Sequence, residues 1–251
     1  MSGTSRSSSS SGVRRIKQAP EHFAALAASL PGVETVLDAP AGRGEVAAAL
    51  QQQQLQVTAL DTRPEEFDVP GLRCWNSDLN RRLEFDDASF DLVVCRDAIG
   101  RLESHVNTLR EFHRLLKPGG WLLLSTPNLL SLGARLSFCL VGGPRLAFRP
   151  PTDRARRNGV DSINPHDYFT LRAVLRRVGF RIDRVATHAF GRSSLALAPL
   201  APLVALTTRW ALAREREPLQ RQANAEIAKH VLSRELLFGT QLLLLARREA
   251  R

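Results

Sequence analysis

Cysteine is scarce in this chain, and the few present are not arranged for chemistry. Cys74, Cys95 and Cys139 are an odd number with no CxxC spacing, which excludes a disulfide framework or a thiolate zinc site and points to a reducing compartment. His113, His188 and His230 show no metal-ligating spacing either. No apolar stretch backs the charges of the N-terminal MSGTSRSSSSSGVRR, so it does not read as a secretory leader. Its serine-rich composition predicts a disordered tail over residues 1–15. Long hydrophobic runs are missing too. The longest clean one, Leu195 to Leu206, covers about 12 residues and contains Pro199 and Pro202, where a membrane span needs about 20. Internal repeats are absent.

Charge is abundant and one-sided: the 251 residues carry a net +10. Such a balance suits an anionic partner, nucleic acid or a phospholipid surface. The basic residues are nearly all arginine and scattered among plentiful alanine and leucine, as genome-wide codon bias would also produce. No aromatic-interleaved basic motif accompanies them, so nucleic acid is an unfavoured partner. A hydrophobic fraction of 43% can fill an ordinary core. The length suits one α/β domain, residues 16–251, carrying insertions.

From about Pro20, strand and helix patterns alternate, the mark of a mostly parallel sheet with helices on both faces. HFAALAASL (22–30) reads as a helix, ETVLDAP as a buried strand and GEVAAALQQQ as the next helix. QVTALD (56–61), LRCWNSD (72–78) and FDLVVC (90–95) read as strands two to four. LESHVNTLREFHRLL (102–116) is helical and stops at a Lys117-Pro118-Gly119-Gly120 turn into a fifth strand, WLLLSTPN (121–128). PHDYFTLRAVLRRVGF (165–180) is a helix closed by Gly179. RIDRVATH (181–188) and LLFGTQLLLLARR (236–248) read as strands six and seven. Two apolar, arginine-interrupted segments break the alternation and are placed as helical insertions at about 129–160 and 190–234.

In open α/β sheets, ligands lie beyond the carboxyl ends of the strands. Here three strands end in an acid: Asp38, Asp61 and Asp78. The loop after Asp38 holds Gly42 and Gly44, where a missing Cβ lets a ligand approach the backbone. An acid about 20 residues beyond such a loop is placed to accept from ribose hydroxyls, which fits Asp61. Any one acid has a simpler reading as a helix cap or loop residue; three at successive strand ends are harder to obtain from structure alone.

VLDAPAGRG, ALD, NSD, FDLVVCRDAIGRLE and LLKPGGWLLLSTPN, in this order, resemble the successive motifs of class I S-adenosylmethionine-dependent methyltransferases. The resemblance runs from about Thr35 to Asn128 and continues more loosely in NPHDYFTLRAVLRRVGF, which is similar to small-molecule O-methyltransferases, including ubiquinone-type and sugar-modifying ones. It implies a Rossmann-like seven-stranded sheet, mostly parallel with an antiparallel last strand. It also implies S-adenosylmethionine as cofactor, with Asp38, Ala39, Gly42 and Gly44 at the methionine part, Asp61 at the ribose, and Asp78 with the Leu79 backbone at the adenine. Arg96 and Asp97 would lie near the reactive methyl. Pro40 replaces the family's usual first glycine. Proline fixes φ near −65° and has no N–H, so it weakens binding if that glycine uses a positive φ and only stiffens the loop if it does not.

A hydroxyl acceptor needs its proton removed. Asp97, His105 and His166 are the candidate bases, with His166 preferred because related small-molecule enzymes often place a histidine after the fifth strand. The expected acceptor is a small molecule with a hydroxyl, lipid-linked, quinone-like or sugar. No metal is expected. The insertions suit either contact with a membrane surface or a lid or dimer face, in a cytoplasmic protein. Two other functions compete. A nicotinamide-dependent dehydrogenase needs GxGxxG where this loop has PAGRGE, and a non-catalytic cofactor-binding scaffold would share the fold. A nucleic-acid methyltransferase fits less well, since CRDAIG follows strand four in place of a (D/N)PPY-type motif.

Overall fold

A computed structural model describes residues 19–143 and 164–249. The serine-rich tail and residues 144–160 of the first insertion lie outside them. Seven strands form one sheet: β1 (Thr35–Asp38), β2 (Gln56–Asp61), β3 (Cys74–Asn76), β4 (Phe90–Cys95), β5 (Leu116–Pro127), β6 (Phe180–Ala186) and β7 (Gln241–Arg248). Their order is β3-β2-β1-β4-β5-β7-β6. The first five pair in parallel, and β7 runs antiparallel to both β5 and β6.

The central strands are apolar through their middles because both faces are covered. Leu37, Val93, Leu122 and Leu124 point to one core, and their neighbours Val36, Leu92, Val94 and Leu123 to the other. Helices α1 (Ala19–Ala28) and α2 (Glu45–Gln52) cover the second face through Phe23, Ala27, Val46 and Leu50. Helices α3 (His105–Leu115) and α5 (Tyr168–Val178) cover the first through Leu109, Phe112, Leu171 and Leu175.

The insertions supply α4 (Leu132–Val141), α6 (Arg192–Ala196), α7 (Ala201–Ala213) and α8 (Pro218–Val231), followed by the short α9 (Arg234–Phe238). Helix α4 leaves from the carboxyl end of β5. Helices α6 to α9 leave from that of β6 and return through β7, so both insertions project from the edge at which β1 ends.

Two local expectations change. LKPGG is the irregular start of β5, where the register with β4 shifts between Phe90 and Leu92. Gly119 sits at φ +77, and a Cβ on Gly120 would lie 2.9 Å from the Lys117 carbonyl. The residues of a turn are thus present, but Phe90 pairs with Leu116 ahead of them, which keeps them in the sheet. LLFG, expected as strand, closes a helix instead. The Ser233 hydroxyl accepts from the Leu236 amide and caps α9, delaying β7 to Gln241.

Candidate active site

The chain turns sharply after Asp38. The Ala39 amide still donates to Val94 (2.9 Å), and the Ala41 amide donates to Leu60 at the end of β2 (2.8 Å). Between them the Ala39–Pro40 peptide is cis. Left-handed backbone in this loop is confined to Gly42 (φ +55) and Gly44 (φ +86), so proline occupies a position that needs no positive φ. Gly44 caps α2, and a Cβ there would overlap Val69 and Phe67. Gly42 has open space where its Cβ would be, and its amide donates to Asp61 Oδ2 at 2.8 Å.

A cleft of about 280 Å³ opens over this loop. Asp38, Pro40, Gly42, Asp61, Arg96 and Asp97 line it, with Arg63 and Arg101 at its sides. Asp38 is 1% exposed, and neither carboxylate oxygen has a hydrogen-bond partner. Burial pushes its pKa up to about 7 against the pull of Arg96; the Ala47 amide is near enough to favour the charged form, though outside hydrogen-bond geometry. Asp61 Oδ1 accepts from the Arg63 amide (3.0 Å), so its two oxygens set the loop and keep further lone pairs toward the cleft. Arg96 spans the site to Glu45 (3.0 Å). Asp97 holds a left-handed φ of +51; its amide and Oδ1 both bond the Ser125 hydroxyl of β5, at 3.0 and 2.9 Å.

Other expected residues sit apart from the cleft walls. Ala39 is wholly buried in the strand end. Asp78 Oδ1 accepts from the Asn80 amide and side chain (2.9 and 3.0 Å) within its own turn. The Leu79 carbonyl accepts from Thr108 at 2.7 Å. This turn adjoins the site through the Ser77 amide, which donates to the Asp61 carbonyl at 3.0 Å.

His166 is 6% exposed and its Nε2 lacks a partner. Asn164 anchors its segment to the loop after β4: the amide donates to Gly100 (2.9 Å) and the side chain to Leu102 (2.8 Å). The His105 ring lies 4.4 Å from that of His166, a pairing that reading α3 alone did not reveal. Burial lowers the pKa of His166, helped by His105 and opposed by Asp167. His188, two residues beyond β6 at the same edge, feels the charges of Asp97 and Arg96, and burial lowers its pKa overall.

Residues 13–185 match a family model described as a methyltransferase domain. The ubiquinone biosynthesis O-methyltransferase of Xanthomonas campestris pv. campestris (strain B100) is 30% identical over 173 residues, covering 65% of this chain and 69% of that protein. The fold is similar to a SAM-dependent methyltransferase from Archaeoglobus fulgidus (TM-score 0.55, 19% identity, 91% and 92% of the two chains). It is also similar to the Burkholderia thailandensis 1,6-didemethyltoxoflavin-N1-methyltransferase with bound 1,6-didemethyltoxoflavin and S-adenosylhomocysteine (TM-score 0.53, 16% identity, 93% and 80%).

Proposed function

This chain belongs to the class I S-adenosylmethionine-dependent methyltransferases, and from that premise we propose that it methylates a hydroxyl of a small, quinone-like acceptor, with Asp38 holding the cofactor and His166 taking the acceptor's proton. The observation that carries the cofactor site is the pair of orphaned oxygens on buried Asp38. A buried carboxylate without partners is costly unless a cation meets it, and the ammonium of the cofactor's methionine part is one. Bound S-adenosylmethionine supplies a methyl group on a sulfonium sulfur, open to in-line displacement.

The chain's own residues do the rest. Gly42 leaves the cleft wall open, and Asp61 accepts from ribose hydroxyls while staying tied to the Gly42 amide. Asp78 and the Leu79 backbone, in the adjoining turn, take the adenine. Arg96, held by Glu45, and Asp97, held by Ser125, border the acceptor side. With the bound cofactor supplying the methyl group, His166 would take the proton that the acceptor hydroxyl gives up. A lowered pKa keeps that imidazole neutral near pH 7 and ready to accept, and neighbouring Asp167 favours the protonated ring that results. The acceptor class rests on the relatives named as ubiquinone biosynthesis O-methyltransferases.

Asp97 is the second candidate base because it lines the cleft itself. Radiolabelled methyl transfer to catechols and hydroxyquinones, compared with amine acceptors, tests the reading. Oxygen-methylated product is expected, and transfer to amines alone would overturn it. Loss of turnover in His166→Gln with kcat retained in Asp97→Asn assigns the base to His166; the reverse pattern assigns it to Asp97.

A further inference from the structure

Among the described residues, the strongly exposed large apolar side chains, Trp75 and Phe169 apart, fall in two stretches: α4 and residues 190–210. Helix α4 meets the start of the second stretch, and α7 follows α6 in the chain. The Gly133 amide of α4 donates to the Ser194 hydroxyl of α6 at 3.1 Å, and a Cβ on Gly133 would lie 2.9 Å from the Ser193 hydroxyl. Between the helices a cavity of about 670 Å³ opens, walled by Leu136, Leu140, Val141, Ala196 and Leu197. Leu140 is 74% exposed and Leu206 of α7 is 68% exposed.

Helix α7 is the extreme case. Its sequence APLVALTTRWALA is apolar except for Thr207, Thr208 and Arg209; Leu212 packs toward the core, and the outward face carries Leu203, Leu206 and Trp210, each more than half exposed. In water a surface helix turns its apolar stripe inward and polar residues outward; large apolar residues on the outward face suit a lipid interface. At 13 residues it is about 20 Å long, short of the ~30 Å hydrocarbon layer. No helix among the described residues is long and apolar enough to cross a membrane.

Charge selects the occupant. No aspartate or glutamate occurs from Leu129 to Val141 or from His188 to Arg214, whereas Arg192, Arg209 and Arg214 border the surface. The Arg214 guanidinium stacks 3.8 Å from the Trp210 ring centroid, an apolar body with a cationic tip, as residues at a lipid interface present. Two copies meeting through this face would oppose arginine to arginine, whereas lipid phosphates pair with each of them.

We infer that α4, α6 and α7 dock the protein on an anionic phospholipid surface, with α7 lying in the plane of the interface and the arginines meeting lipid phosphates. Both insertions leave the sheet at the edge where Asp38 lies, so the catalytic cleft and the docked surface belong to the same end of the molecule.

Flotation of the full chain with vesicles tests this, using phosphatidylcholine containing about one-third phosphatidylglycerol and, separately, phosphatidylcholine alone. The wild type is expected to float with the anionic vesicles and to bind the neutral ones about tenfold less. Leu203→Ser/Leu206→Ser/Trp210→Ser should lose at least about tenfold, with an unchanged melting temperature and unchanged affinity for S-adenosylhomocysteine. Leu140→Ser/Val141→Ser, on α4, is the independent second variant. Three results would each overturn the inference: wild type that stays at the bottom with anionic vesicles, both variants floating like wild type, or light scattering that shows a dimer which the triple substitution splits.

Discussion

The Asp38 carboxylate is both the least stable group in the site and the one best suited to a cation. An aspartate normally titrates near 3.8, and here burial moves it to about 7. The sign follows from proton counts. Between those values the unfolded chain is ionised and the folded one protonated, so stability falls as pH rises from 3.8 to 7, and the penalty is complete above 7. It amounts to roughly 4 kcal/mol as an upper figure. Asp38→Asn removes the penalty without changing shape. The free protein should therefore melt several degrees higher than wild type at pH 8, while the rise in melting temperature caused by S-adenosylhomocysteine disappears. Scanning fluorimetry with and without that ligand checks both, and an unchanged ligand shift would remove Asp38 from the binding site. His166 makes a separate prediction. Its lowered pKa implies that kcat/KM is flat through neutral pH and declines only below the ordinary histidine value of 6.5, and His166→Gln should lose about 10²–10⁴-fold. A pH–rate profile centred above 7 would point to another base.

At the scale of elements, the ends of strands decide where the site goes, and they differ in how visible they are from sequence. Strands β1, β2 and β4 could be read because burial makes their inner residues apolar, and Asp38 and Asp61 close the first two at readable spacing. The helix over 234–238 could not, because the Ser233 cap and Asn128 override an apolar run that looks like strand. Asn128 is 1% exposed; its side-chain amide donates to the carbonyls of Leu236 (2.8 Å) and Gly239 (2.9 Å), and its Oδ1 accepts from the Leu130 amide (3.1 Å). One side chain thus joins the end of β5, the root of α4 and the end of α9. Nothing in STPN announced that, nor the His105–His166 and His188–Asp97 neighbourhoods, which are made by segments far apart in sequence. Asn128→Ala leaves two buried carbonyls unpaired and should destabilise the protein by about 2 kcal/mol, read by urea titration. In the loop after β1, Gly44→Ala meets a left-handed φ as well as Val69 and Phe67. It should lose about 1–3 kcal/mol along with cofactor binding, whereas Gly42→Ala meets only the strained φ.

Across the whole molecule, acid acts on two opposed sets of groups. His22, His105, His166, His188 and His230 all have lowered pKa values, with burial the largest cause in each. Each binds its proton more readily in the unfolded chain, so together they remove stability as pH falls below about 6.5. Asp38 runs the other way over the same interval, since acidification from 7 relieves its burial penalty. Asp91 enters only in stronger acid: Lys117 and the Thr35 and Glu34 groups overcome its burial and hold it at about 2, so its contribution is lost between 3.8 and about 2. The wild-type melting temperature between pH 7 and 5 is therefore a difference between the histidine set and one carboxylate. Replacing Asp38 by asparagine deletes only the opposing member. The variant should start more stable than wild type at pH 7 and lose stability faster on the way to pH 5, so that the two melting curves converge. Parallel curves across that range would mean that Asp38 is ionised in the free protein, and that the cleft already holds its negative charge before any ligand arrives.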